Sequence, residues 1–276
     1  MIARLSRARL VLCAVLVLVV CAAVAVTAIG LNLPKATGKT VKKDGKITVD
    51  CSNMSEGYIM VKGKKSSKRI KIQVTSSKSE RPLNYDLNSN GEYEVFPLQY
   101  GNGKYQVSLF ENASGKKYSK EGTVKLTVKM KDELSCFLYP NQYVSYDENT
   151  ACVKYAQNMC KDMTDQADIY KAVCKYVTSN FVYDFIKSVT VKPGQLPQID
   201  ECWNNRMGIC QDLAAMTCAM LRSQGVPARL MIGTVGANTY HAWVVAVVNG
   251  DEKFFDPTAE LNASSKTETY TTERYY

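Results

Sequence analysis

Between Lys35 and Lys131 apolar and polar residues alternate with a period of two. Ile70, Ile72 and Val74 are separated by Lys71 and Gln73, and Val124, Leu126, Val128 and Met130 by Lys125, Thr127 and Lys129. That is the signature of a strand with one buried face. Similar runs occupy residues 47–50, 58–62, 93–98 and 105–111, punctuated by Gly-, Asn- and Ser-rich turns at 62–68, 88–91, 101–104 and 112–117. Roughly six or seven short strands with such turns predict a small all-β, β-sandwich-like domain over residues 35–131. One turn, Asp86-x-Asn88-x-Asn90-Gly91, opens like a calcium loop, but Pro97 stands where the bidentate glutamate belongs, so it is read as an Asn-Gly hairpin turn.

After Asp132 the period changes. Residues 151–163 and 165–181 read as helices, the second capped by Thr164, and an extended stretch follows through Val191 to Pro197. Residues 210–225 form a third predicted helix with Leu213, Met216, Met220 and Leu221 on one face and Gly225 at its stop. Strands over 228–235, 239–248 and 253–256 would pack a sheet against it. The region 132–276 is therefore read as α+β.

The N-terminus changes the picture once more. Arg4, Arg7 and Arg9 precede a run from Leu10 to Leu31, 22 residues without a charge, which as a helix would span roughly 33 Å. Residues 1–34 are read as a signal or transmembrane anchor. Lysines on the far flank oppose the positive-inside rule, but long domains cross largely regardless of charge. The expected location is the cell membrane, single-pass, with the C-terminal bulk extracellular, or a secreted protein if the segment is cleaved.

Charge divides the remainder. From Lys35 to Lys131 there are 20 Lys/Arg against 9 Asp/Glu, a balance of +11; from Asp132 onward 12 face 17, a balance of −5. A basic N-terminal domain beside an acidic C-terminal one suggests contact with an anionic wall polymer or membrane surface. Nucleic acid is disfavoured by the external location and by the lack of an aromatic-basic recognition motif. Eight cysteines lie outside the apolar run; outside a cell they could form disulfides, or they are small buried apolar residues. No CxxC or Cys/His pairing suggests a metal, and no cofactor is expected.

Candidate chemistry centres on the one histidine of the chain, His241. Upstream, Cys210 follows a glycine-containing turn and opens the third helix, where unpaired N–H groups favour a thiolate. Downstream, Asp256 ends the strand after the one bearing His241, close enough across neighbouring strands to orient an imidazole. A thiol, a base and an orienting acid are the set a cysteine nucleophile requires.

These residues carry a resemblance. The stretch from Trp203 to Gly233, with Cys210 opening a helix that ends in the Arg222-to-Arg229 phrase, His241 followed by Ala242 and Trp243, and Asp256 followed by Pro257 and Thr258, resembles the transglutaminase-like superfamily over roughly 151–258. The resemblance implies a papain-like core, a catalytic triad of Cys210, His241 and Asp256, and for Tyr183 a packing role in preference to a supporting or oxyanion one. It also implies acyl transfer at an amide. Hydrolysis of a peptide or protein substrate is preferred, since the resemblance extends to anchored bacterial relatives described as proteases; protein crosslinking is the alternative, and a catalytically inactive surface binding module the rival from another class.

Overall fold

Alternation becomes burial in the strands themselves. In the computed structural model, which describes residues 31–79, 81–262 and 268–276, Ile70, Ile72, Val74 and Ser76 of one strand are buried while Lys71, Gln73 and Thr75 are partly exposed. Eight strands are present in the first part: β1 (Val41–Asp44), β2 (Ile47–Asp50), β3 (Tyr58–Gly63), β4 (Ile70–Ser76), β5 (Leu83–Leu87), β6 (Glu94–Pro97), β7 (Gly103–Ser114) and β8 (Lys117–Val128). They make two antiparallel four-stranded sheets, ordered β1-β2-β3-β6 and β5-β4-β7-β8, whose apolar faces share one core.

The turn at Asn88 departs from expectation. Strand β5 pairs with β4, whereas β6 pairs with β3, so the turn carries the chain between sheets and closes no hairpin. Asn88 Oδ1 accepts from the N–H groups of Gly91 and Glu92 at 3.2 Å each, and Gly91 takes φ +88°. Local Asn and Gly chemistry specifies a turn; it does not specify which sheet the next strand joins.

Helices and a third sheet follow: α1 (Ala151–Met159), α2 (Gln166–Asn180), β9 (Val182–Tyr183), α3 (Phe185–Thr190), α4 (Ile199–Asn205), β10 (Met207–Gly208), α5 (Cys210–Arg222), β11 (Ala228–Val235), β12 (Thr239–Val248), β13 (Asp251–Phe255), α6 (Pro257–Leu261) and β14 (Tyr270–Tyr275). The antiparallel order is β13-β12-β11-β14, and α5 packs against β12, β11, α1, α2 and α4. Every residue of α5 from Asp212 to Arg222 is buried. The one-sided stripe expected of it understated its position: Ala214, Ala215, Cys218 and Ala219 fill the other faces with small side chains that admit neighbours all round.

Three further differences have local causes. Helix α2 is capped by Asp165, whose carboxylate accepts from Ala167 N–H at 2.9 Å, and not by Thr164. The stretch read as extended after residue 185 begins with α3, capped by Asp184; its Phe185, Ile186 and Val189 are 67%, 78% and 84% exposed, so no burial pattern marks it. Strand β14 and helix α4 carry no periodic signal in the sequence. Residues 31–276 form one compact unit in which the first eight strands and the α+β part share a continuous core. Tyr143 stacks on Tyr276 at 3.6 Å, and Tyr85 meets Tyr276 edge-on at 5.9 Å. The apolar run from Leu10 falls almost wholly on residues outside those described; among the described residues no helix is long and apolar enough to cross a membrane.

Candidate active site

The turn before Cys210 is built for close approach. Gly208 sits in β10, paired in parallel with Tyr183 of β9. A Cβ at position 208 would lie 2.6 Å from Cys202 Sγ and 3.0 Å from Asp212 Cβ. We therefore expect Gly208→Ala to cost about 1–3 kcal/mol through overpacking, read as a lowered denaturation midpoint; the Cys202→Ala background should recover part of it, and a wild-type midpoint would contradict this packing.

Asp212 anchors the helix start from within. Its fully buried carboxylate accepts from Ile209 N–H at 3.2 Å and Gln198 N–H at 2.8 Å, and Lys187 Nζ lies 2.9 Å from it. Burial works against the Lys187 charge, but Asp212 outweighs it and holds the ammonium above its ordinary value. Thus α3, the 195–198 loop and the first turn of α5 are tied together around Cys210. None of Lys187, Gln198 or Asp212 stood out in the sequence, because their partners are distant along the chain.

His241 lies on β12 opposite Gly233 of β11. Its Nε2 is 2.7 Å from Asp256 Oδ2, and the Cys210 thiol stands beside it in the wall of the same cleft. With Nε2 engaged by the carboxylate, Nδ1 is the ring nitrogen left for the sulfur. Asp256 also caps α6, accepting through Oδ1 from Thr258 N–H at 2.9 Å and Ala259 N–H at 3.1 Å. A fourth donor, Tyr270 Oη, reaches Oδ2 at 2.7 Å. Trp243 lies nearly parallel to the imidazole at 6.3 Å and meets the Tyr270 ring edge-on.

Electrostatics follows from this wiring. Burial disfavours the imidazolium, yet the hydrogen-bonded Asp256 carboxylate and the neighbouring Cys210 overcome it and lift His241 to about 9. Burial likewise opposes the Asp256 carboxylate, and His241 and Tyr270 bring it below its ordinary value. Burial pushes the Cys51 thiol up, Cys160 up to about 11, and Cys136, Cys152, Cys174, Cys202 and Cys218 to about 12. All eight described thiols are free, and Cys210 is partly exposed.

Cys210 and His241 open into a cleft of about 450 Å³ whose walls include Tyr183, Gln211, Tyr240 and Arg274. Tyr183 therefore lines the cleft, packed edge-on against Phe185 at 5.0 Å. The three residues singled out from the sequence are brought together; Tyr270 and Arg274, both on β14, were missed. Among the described residues no cluster of three His, Cys, Asp or Glu side chains could hold a metal ion.

Comparison with known proteins bears on this region. Residues 153–255 match the family described as the transglutaminase-like superfamily. No curated protein matches the chain. Among solved structures, similarity extends to a protein provisionally described as a cysteine protease from Cytophaga hutchinsonii, at 13% identity over 86% of this chain and 90% of that one, with a TM-score of 0.39. The periplasmic domain of TgpA from Pseudomonas aeruginosa is 15% identical over 83% and 77%, TM-score 0.38. Red sea bream transglutaminase is 11% identical over 72% and 47%, TM-score 0.26. These likenesses are distant; the assignment rests on the matched segment and its motifs.

Proposed function

We propose, from the match of residues 153–255 to the transglutaminase-like superfamily and the geometry around Cys210, that the chain is a cysteine-dependent acyl-transfer enzyme that hydrolyses a peptide or related amide outside the cytoplasmic membrane. The observation that carries the reading is the placement of the partly exposed Cys210 and of His241 in one cleft, with His241 hydrogen-bonded to the four-donor Asp256.

In the proposed reaction the Cys210 thiolate attacks the amide carbonyl carbon, and the carbonyl electrons move to oxygen. The Cys210 N–H, in the helix's first turn where such groups lack an intrahelical acceptor, is placed to stabilise that oxyanion. Collapse breaks the C–N bond as the His241 imidazolium protonates the departing amine, leaving a thioester. Water, deprotonated by the now neutral imidazole, attacks the thioester and releases the acid and the thiol.

Incubation with casein and a labelled primary amine tests the outcome: new peptide fragments support hydrolysis, whereas incorporated label means amine transfer. The alkaline side of the pH profile tests the acid. With His241 at about 9, kcat/KM should fall as pH rises through that value, and Asp256→Asn should move the fall to lower pH. The sign agrees with stability: a histidine raised above 6.5 contributes stability that is whole below about 6.5 and lost as pH rises through about 9.

Tyr270 acts through Asp256 as a positioning residue. Tyr270→Phe removes one hydrogen bond to a charged acceptor, so kcat should drop about tenfold with little change in KM. Unchanged kcat in a folded variant would show that Tyr270 only packs. The basic strand-rich part, at +11 from Lys35 to Lys131, is proposed to hold the enzyme against an anionic surface, an attachment that weakens with salt.

A further inference from the structure

Two hollows meet at Tyr143 and Arg274. One is the cleft above Cys210; the other is a groove of about 810 Å³ that runs beside β14 and is walled opposite by residues 78, 79 and 81–84. Both residues line both spaces, so a polymer seated at the thiol continues into the groove without leaving the surface. Strand β14 is the edge of its sheet, a surface of the kind on which extended peptides lie.

The junction is held firmly. Tyr143 stacks on the buried Tyr276, and Arg274 donates through Nη2 to the Tyr240 hydroxyl, with its guanidinium 5.8 Å from that ring's centre. The continuous surface is cationic: Lys192 lines the cleft, Arg274 the junction, and Lys78 and Arg81 the groove, while Glu273 is the one carboxylate among the described lining residues of either hollow. Glu273 lies 3.5 Å from Arg274, and Glu133 lies 3.9 Å from Lys78. Such loose, solvent-exposed pairs bind weakly and are readily exchanged for a ligand carboxylate. A concave surface of one sign also focuses its field on whatever enters.

We infer that the substrate is an acidic polypeptide segment: its scissile amide sits at Cys210, and the carboxylate side chains on one flank pass Arg274 into the groove against Lys78 and Arg81. This rests on the acyl-transfer reading and adds the substrate's charge and the path it follows. Arg274 is then a specificity-determining residue and takes no part in bond making or breaking.

The test is kcat/KM of the full chain on matched peptides that share one scissile amide and differ only in Glu or Gln residues on both flanks. Each exposed ion pair gained is worth up to about fivefold, so several together should favour the Glu peptide by about tenfold at low salt. Added salt should erode the preference. Arg274→Gln should cut the ratio about two- to fivefold; the double change Lys78→Gln and Arg81→Gln, confined to exposed side chains, provides the same check should Arg274→Gln fail to fold. Equal cleavage of the two peptides, or preference for the Gln peptide, overturns the inferred charge selectivity and leaves the acyl-transfer reading standing. Cleavage of no peptide overturns both.

Discussion

His241→Ala should abolish turnover, with a loss on the order of 10⁴–10⁶-fold in kcat and no loss of fold. The size of the effect follows from the wiring. His241 is the single histidine of the chain, it shares a cleft with the thiol and is bonded to a carboxylate that is itself fixed by a helix cap and a tyrosine, and no other imidazole can take its proton. Cys210→Ala should be equally inactive, and the double variant no worse than either alone, because groups acting as a unit lose their joint effect when any one is removed. Steady-state rates beside far-ultraviolet circular dichroism check both points. A His241→Ala protein that is folded and within tenfold of wild type would remove the imidazole from the mechanism.

Arg222→Met should be the most damaging substitution for stability, at about 3–5 kcal/mol. Arg222 is 1% exposed and has its guanidinium divided among three main-chain oxygens: Nε donates to Ala228 at 2.8 Å, Nη1 to Tyr139 at 2.7 Å and Nη2 to Tyr276 at 2.8 Å. One side chain thus joins the end of α5 to β11, to the segment after β8 and to the residue following β14. Methionine fills the volume and leaves those oxygens short of a donor in a dry interior. Lysine is no substitute, since a single ammonium cannot span the fork. The urea midpoint of the two variants measures the cost; a shift equivalent to under about 1 kcal/mol would mean that the oxygens find other partners.

Much of this was legible in the sequence, for identifiable reasons. Strands such as β4 announce themselves because one face is buried and the other wet. Cys210, His241 and Asp256 were recoverable although 31 and 15 residues separate them, because a glycine turn, a helix start and successive strands constrain where each can sit. What failed was information held in partners remote along the chain. The Asn88 turn looked like a hairpin because turn chemistry is local while sheet membership is not. Helix α5 looked one-sided because its small residues are silent about what packs on them. Helix α3 exposes its apolar side chains, and β14 lies on a sheet edge with Thr271, Thr272 and Glu273 exposed, so neither has the periodicity that burial imposes. Tyr270 and Arg274 were missed for the same reason: they ride on a strand that the pattern does not reveal.

In the proposed reaction the acyl group passes covalently through the Cys210 sulfur. Rapid acid quench of the enzyme during turnover of an activated amide or ester, followed by peptide mass spectrometry, addresses it most directly. One acyl group per chain is expected, carried as a thioester on the peptide containing Cys210 and absent after prior alkylation of that thiol. Undiminished turnover by the alkylated protein, or an acyl group found on another of the cysteines, would contradict it.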